Sequence, residues 1–179
     1  MPLNNLCFCG STQRFSCCCQ LLIEQKAFPQ TPEQLMRSRF SAYVVGNSPY
    51  IYATYAKSSQ ASQSLKEIDD WSNSCTWIAL HIHSGSDIAQ IDSPEQFVEF
   101  SAFYVANNTL CELRENSRFI VEINTTNENQ NPHWCYLDGD IIKHSELAQI
   151  TRKELCPCNN YPTAWTIKKK KKFKQCCGR

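Results

Sequence analysis

The chain has 179 residues and twelve cysteines, nine of them near its two ends. The first group reads CFCGSTQRFSCCC and the second CPCNNYPTAWTIKKKKKFKQCC. Both open on C-x-C and close on adjacent cysteines. In both, a phenylalanine, Phe15 or Phe173, stands three residues before the first cysteine of the closing pair. Four thiolates suit tetrahedral zinc, with Zn–S near ~2.3 Å. C-x-C supplies two thiolates from one turn, and a closing pair supplies two more if the chain doubles back. Gly10 and Ser11 suit such a turn, because glycine reaches φ > 0 and serine bonds the backbone. The spacing therefore assigns one zinc to Cys7, Cys9, Cys18 and Cys19, and a second to Cys156, Cys158, Cys176 and Cys177. The triple cysteine leaves the first register ambiguous by one: spacing favours Cys18 and Cys19 and leaves Cys17 spare. The competing reading is free thiols or disulfides. The opening MPLNNLCFCG shows no basic and apolar leader, so the expected compartment is the reducing cytosol, where clustered cysteines read first as metal ligands.

Between C-x-C and C-C the second group carries Lys168, Lys169, Lys170, Lys171 and Lys172, then Lys174 after Phe173. Residues 151–179 hold nine basic residues and one acid, whereas residues 31–150 hold seven basic residues and fifteen acids. Four thiolates around zinc would add about −2, so this end is less basic than its lysines suggest. The lysines can contact phosphates, dock a protein partner, or lie on the acidic middle of the same chain.

The middle offers weaker candidates. Arg37 and Arg39 stand in an otherwise apolar helical stretch, and Glu99, Glu112 and Glu122 lie where strand alternation can turn a carboxylate inward. Together they could grip an anion, or form a structural Arg–Glu pair between helix and sheet; structural pairs are the commoner case. Trp134, Tyr136 and Asp138 alternate and share a face, as pocket lining or as core. His81 and His83 share a strand face without an adjacent acid to complete a metal site. Cys75, Cys111 and Cys135 stand singly in apolar strands, where core packing accounts for them. There is no phosphate loop, G-x-S-x-G elbow or H-E-x-x-H, which weighs against the commoner enzyme classes.

The elements that must position these residues are helices first, strands after. TPEQLMRSRFSAYVVG carries Thr31 as cap, Pro32 in the first turn and Gln34 completing a capping box, with Gly46 as the stop. SPYIYATYA repeats the entry with Ser48 as cap, and SLKEIDDWSN with Ser64 and Glu67. After residue 75, TWIALHIHSG, QFVEFSAFYVA, LCELRENSRFIVEI and HWCYLDGDII read as strands separated by breakers. This order predicts an α+β fold, helices packed on a curved antiparallel sheet. The divisions expected are a knuckle at 1–24, a middle domain at 28–150 and a second knuckle with its basic loop at 151–179.

C-x-C-G-S-x-x-x-F-x-x-C-C resembles the SEC-C zinc motif, and KKFKQCCGR is similar to that motif's usual ending. One such motif at each end, with MRSRFSAY, LCELRENSRF and HWCYLDGD between, resembles the YchJ-like family over nearly the whole chain. The second cluster departs from the motif: it has CPCNN in place of Gly-Ser, and nine more residues between its halves. The resemblance implies a middle domain with the cone of the nuclear transport factor 2-like, cystatin-like folds, flanked by two zinc knuckles. It implies docking on protein partners and the ribosome; with the expected cytosolic compartment and the lysine run, the expected role is a cytoplasmic, zinc-binding adaptor for protein, ribosome or nucleic-acid partners. The alternative is an enzyme or small-molecule binder using a pocket in the cone. Fold alone does not choose between them.

Overall fold

The computed structural model describes residues 6–85, 95–123, 132–165 and 170–179. After the first knuckle come α1 (Cys19–Ile23), α2 (Pro32–Val45), α3 (Ser48–Ala53), α4 (Lys57–Gln60) and α5 (Leu65–Ser74). Then follow β1 (Thr76–Ser84), β2 (Glu95–Ala106), β3 (Thr109–Ile123) and β4 (Pro132–Gln149), an antiparallel meander in the order β1-β2-β3-β4. Among the described residues no helix is long and apolar enough to cross a membrane.

The α2 entry forms as its sequence requires. The Thr31 hydroxyl accepts from the Gln34 amide at 3.2 Å, and Gly46 ends the helix with φ 69°. Ser64 likewise caps α5, accepting from the Glu67 amide at 3.3 Å. The cap of α3 differs from expectation. Asn47 takes the role, its Oδ1 accepting from the Tyr50 amide at 3.0 Å. Ser48 is thereby released to donate to Asp69 Oδ1 at 2.9 Å, tying α3 to α5.

Register shifts in the β1–β2 and β3–β4 ladders bend the sheet. The curved face closes over α2 around Leu35, Met36, Phe40, Leu80, Val98 and Phe119. β4 runs seven residues past the expected Ile142, to Gln149. That extension is polar and mostly exposed; its strand state comes from pairing with β3, as in Leu113 with His144.

Both chain ends share cores with the middle domain. Cys7, Cys9 and Cys19 pack with Ala42, Tyr50 and Ile51 of the helical layer. Cys156, Cys158 and Phe173 pack with Ile78, Ala79, Val105 and Leu110 of the sheet. Tyr161 stacks on Phe103 at 4.2 Å between ring centroids. The ends also meet each other: Phe8 lies edge-on to Trp165 at 4.8 Å.

Candidate metal centres

The first knuckle is a hairpin. The Cys7 amide donates to Gln13 O at 2.7 Å, and Leu6 bridges to Arg14. Gly10 turns the chain with φ 78°, its amide donating to Cys7 O. A helical turn over Phe15–Cys17 then delivers Cys18 with φ −131° and ψ −116°. Cys7, Cys9, Cys18 and Cys19 bring their sulfurs within 4.8 Å of one another. Cys17 is exposed and lies outside the group, so the register left open by the triple cysteine falls on Cys18 and Cys19.

The second knuckle repeats the design. The Cys156 amide donates to Lys171 O at 2.9 Å, and Leu155 bridges to Lys172. A helical turn over Phe173–Gln175 delivers Cys176 with φ −131° and ψ −114°, the conformation of Cys18. The opening turn is built differently. Asn159 stands where Gly10 stands, and its side chain donates to Cys156 O at 2.9 Å without a positive φ. The four sulfurs of Cys156, Cys158, Cys176 and Cys177 again lie within 4.8 Å of one another. The nine extra residues thus leave the ligands in place.

The donor sets fit a tetrahedral thiophilic ion. Four sulfurs ~2.3 Å from one ion stand about 3.8 Å apart. Cys9–Cys18 is 3.8 Å and Cys18–Cys19 3.9 Å; Cys158–Cys176 is 3.6 Å and Cys176–Cys177 3.9 Å. These spacings are far beyond a disulfide, and all twelve cysteines are free. Hydrogen bonds from Cys19, then Cys7 and Cys9, hold the Cys18 thiol far below its ordinary range. Its bond to Cys18 raises Cys19 in turn. In the second group, bonds from Cys158 and Cys177 hold Cys156 low, and Cys177 is raised. The four sulfurs of each cluster are close enough to share protons, which a bound cation would displace. The scaffold supports the sulfurs: Ser41 of α2 is 3.8 Å from Cys7 Sγ, and Ser11 is 3.4 Å from Cys18 Sγ.

With this geometry in view, comparison with known proteins decides the family. Residues 31–139 match the family model described as YchJ, middle NTF2-like domain. The chain belongs to the YchJ family. A UPF0225 protein of Vibrio cholerae is 35% identical over 172 residues, covering 96% of this chain and 99% of its own. Another, from Enterobacter sp. (strain 638), is 32% identical over 176 residues, covering 98% and 99%. A crystal structure of a SEC-C motif containing protein from Psychrobacter arcticus superposes with a TM-score of 0.66 at 24% identity, covering 99% of this chain and 96% of that one. The solution structure of a SEC-C motif containing protein from Rhodopseudomonas palustris gives 0.64 at 22%, covering 79% and 100%. The last two establish the shared fold.

Within the YchJ fold the candidate pocket residues disperse. Arg37 binds Glu33 and donates to Cys9 O at 2.8 Å, so it fastens α2 to the first knuckle. Arg39 is 4% exposed. It donates to Ile51 O at 2.8 Å and Thr54 Oγ1 at 2.7 Å, between the rings of Tyr55 and Tyr136 at 4.4 and 4.5 Å. Glu99 pairs with Arg114, and Glu112 with Lys143, both within the sheet. Trp134 is core and donates to Gln30 O at 3.2 Å. Only Arg39 and Tyr136 of the six border the cavity inside the cone, about 110 Å³, together with Glu115 and Ser117. Sequence reasoning passed over Glu115, which accepts from Ser117 at 2.6 Å and Tyr136 at 2.9 Å. His83 bonds Ser101 at 2.8 Å, with His81 against its ring. His133 was also missed; the strand pairing, which the sequence does not display, brings it to Glu122 and Cys135. Lys170, Lys171, Lys172 and Lys174 are exposed, while Lys168 and Lys169 lie outside the described residues.

Proposed function

We propose that this protein is a cytoplasmic zinc-binding adaptor: each four-cysteine cluster holds one zinc, and the second knuckle presents a basic surface to a partner. The partner class is a protein, with the ribosome or another nucleic-acid assembly as the phosphate-bearing case. The observation that carries the reading is the arrangement of the lysines. Lys170, Lys171, Lys172 and Lys174 are exposed and form no ion pair among the described residues. Their backbone is nonetheless fixed: Lys171 O accepts from the Cys156 amide, and the Lys174 amide donates to Arg152 O. Charge held by a metal-templated hairpin and unpaired among the described residues is charge available to a partner. Zinc is the ion of choice because four thiolates close the site completely, as structural zinc requires.

The second reading, a small-molecule site in the cone, has a cavity but fewer free groups. Arg39 already donates to Ile51 O, and Glu115 already accepts from Tyr136 and Ser117. The deciding experiment is capture from lysate by the intact protein, by a variant with Lys168 through Lys172 changed to Gln, and by Cys176→Ser/Cys177→Ser. The adaptor reading expects both variants to lose the same partners, the first also losing salt sensitivity. Identical capture by all three would overturn it in favour of the cone.

A further inference from the structure

A third set of metal-ligating side chains lies away from both knuckles. Glu122 of β3 and His133 and Cys135 of β4 each offer one ligand atom, all within 4.8 Å of one another. The sheet register creates the set. It pairs Glu122 with His133 and Ile120 with Cys135. Alternation then turns all three side chains to one face. The opposite face carries Phe119, Trp134 and Tyr136, which belong to the main core.

We propose that Glu122, His133 and Cys135 form a third metal site for a borderline divalent transition ion of the zinc class. One thiolate, one imidazole nitrogen and one carboxylate oxygen are the donors, and the fourth position is open to water. Cys135 passes its thiol proton to solvent as the ion binds. The donor mixture argues against magnesium and calcium, which take oxygen ligands. Two anionic donors neutralise a dication, so the ion can sit beside Cys135, which is 1% exposed. The carboxylate is already oriented: Glu122 Oε1 accepts from the Lys57 amide at 2.9 Å, at the start of α4. Access exists as well, since Glu122 and His133 are both only partly buried. The bland account is a buried Cys135 thiol hydrogen-bonded to the Glu122 carboxylate, which also accepts from the Lys57 amide. It leaves the convergence of the His133 imidazole on that pair unexplained.

The test is a Co²⁺ titration of full-length protein whose knuckles are loaded with zinc, following released zinc in the same sample. The expected result is one additional Co²⁺ per chain, no zinc release, and a near-ultraviolet charge-transfer band from a single thiolate. Cys135→Ser should abolish the band. His133→Ala and Glu122→Gln alter partly exposed residues, and each should weaken the extra equivalent by more than about tenfold. Unchanged melting without cobalt would show that both variants fold. The proposal is overturned if no extra equivalent binds, if cobalt uptake matches zinc release, or if the extra equivalent survives His133→Ala and Glu122→Gln.

Discussion

Phe173→Ala measures how far the second knuckle and the sheet share one core. Phe173 is 6% exposed and packs with Cys156, Cys158 and the sheet residues Ile78 and Leu110. Truncating a buried phenylalanine costs about 3–5 kcal/mol, and a site near the surface belongs at the lower end. At about 2–4 °C per kcal/mol for a chain of this size, ~3 kcal/mol lowers the midpoint by roughly 6–12 °C. The assay is a thermal melt with zinc present, repeated in chelator. Chelation should itself lower the midpoint while leaving a cooperative transition, because the Leu35–Phe40–Phe119 cluster contains no knuckle cysteine. In chelator Phe173→Ala should change little, since the released knuckle no longer buries the ring. A zinc-loaded shift under about 2 °C, or an equal shift in chelator, would refute the reasoning.

Three further outcomes follow from local geometry. Cys17→Ser should leave metal content unchanged, because Cys17 is exposed and outside the sulfur cluster; a lost equivalent would show the register is wrong. Gly10→Ala should cost about 1–3 kcal/mol and speed zinc loss to a chelator. Gly10 has φ 78°, and a Cβ there would fall 2.5 Å from Thr163 O; wild-type release kinetics would contradict this. Arg39→Lys should cost about 1–3 kcal/mol in a denaturant melt, since an ammonium cannot reproduce the planar stack between the Tyr55 and Tyr136 rings. An unchanged midpoint would show that the guanidinium plane is not what joins Tyr55 to Tyr136.

What could be read from the sequence was whatever is local. The two four-cysteine groups declare themselves because C-x-C and C-C each sit within one turn, and the phenylalanine three residues ahead marks the register. The caps at Thr31 and Ser64 are equally local, and so is the helix-then-strand order. Readings that required a partner strand or a tertiary neighbour fared less well. Arg37 faces a knuckle carbonyl 28 residues away in sequence, and Glu99 finds Arg114 across the sheet. The last residues of β4 are too polar to announce a strand, and only β3 makes them one. His133 joins Cys135 and Glu122 through register, which alternation constrains but cannot fix. The seating of both knuckles on the middle domain was invisible, because cysteines that ligate and cysteines that pack share one letter.

The central claim is that each four-cysteine group holds one zinc. The most direct measurement is zinc per chain in protein purified under reduction without chelator, compared across paired variants. Cys18→Ser/Cys19→Ser should lose one equivalent relative to wild type, Cys176→Ser/Cys177→Ser should lose one, and the combined variant should lose two. Comparison with wild type makes the result independent of any ion on the sheet. Zinc content unchanged in the paired variants, or a wild type holding less than one zinc while fully reduced, would contradict the account.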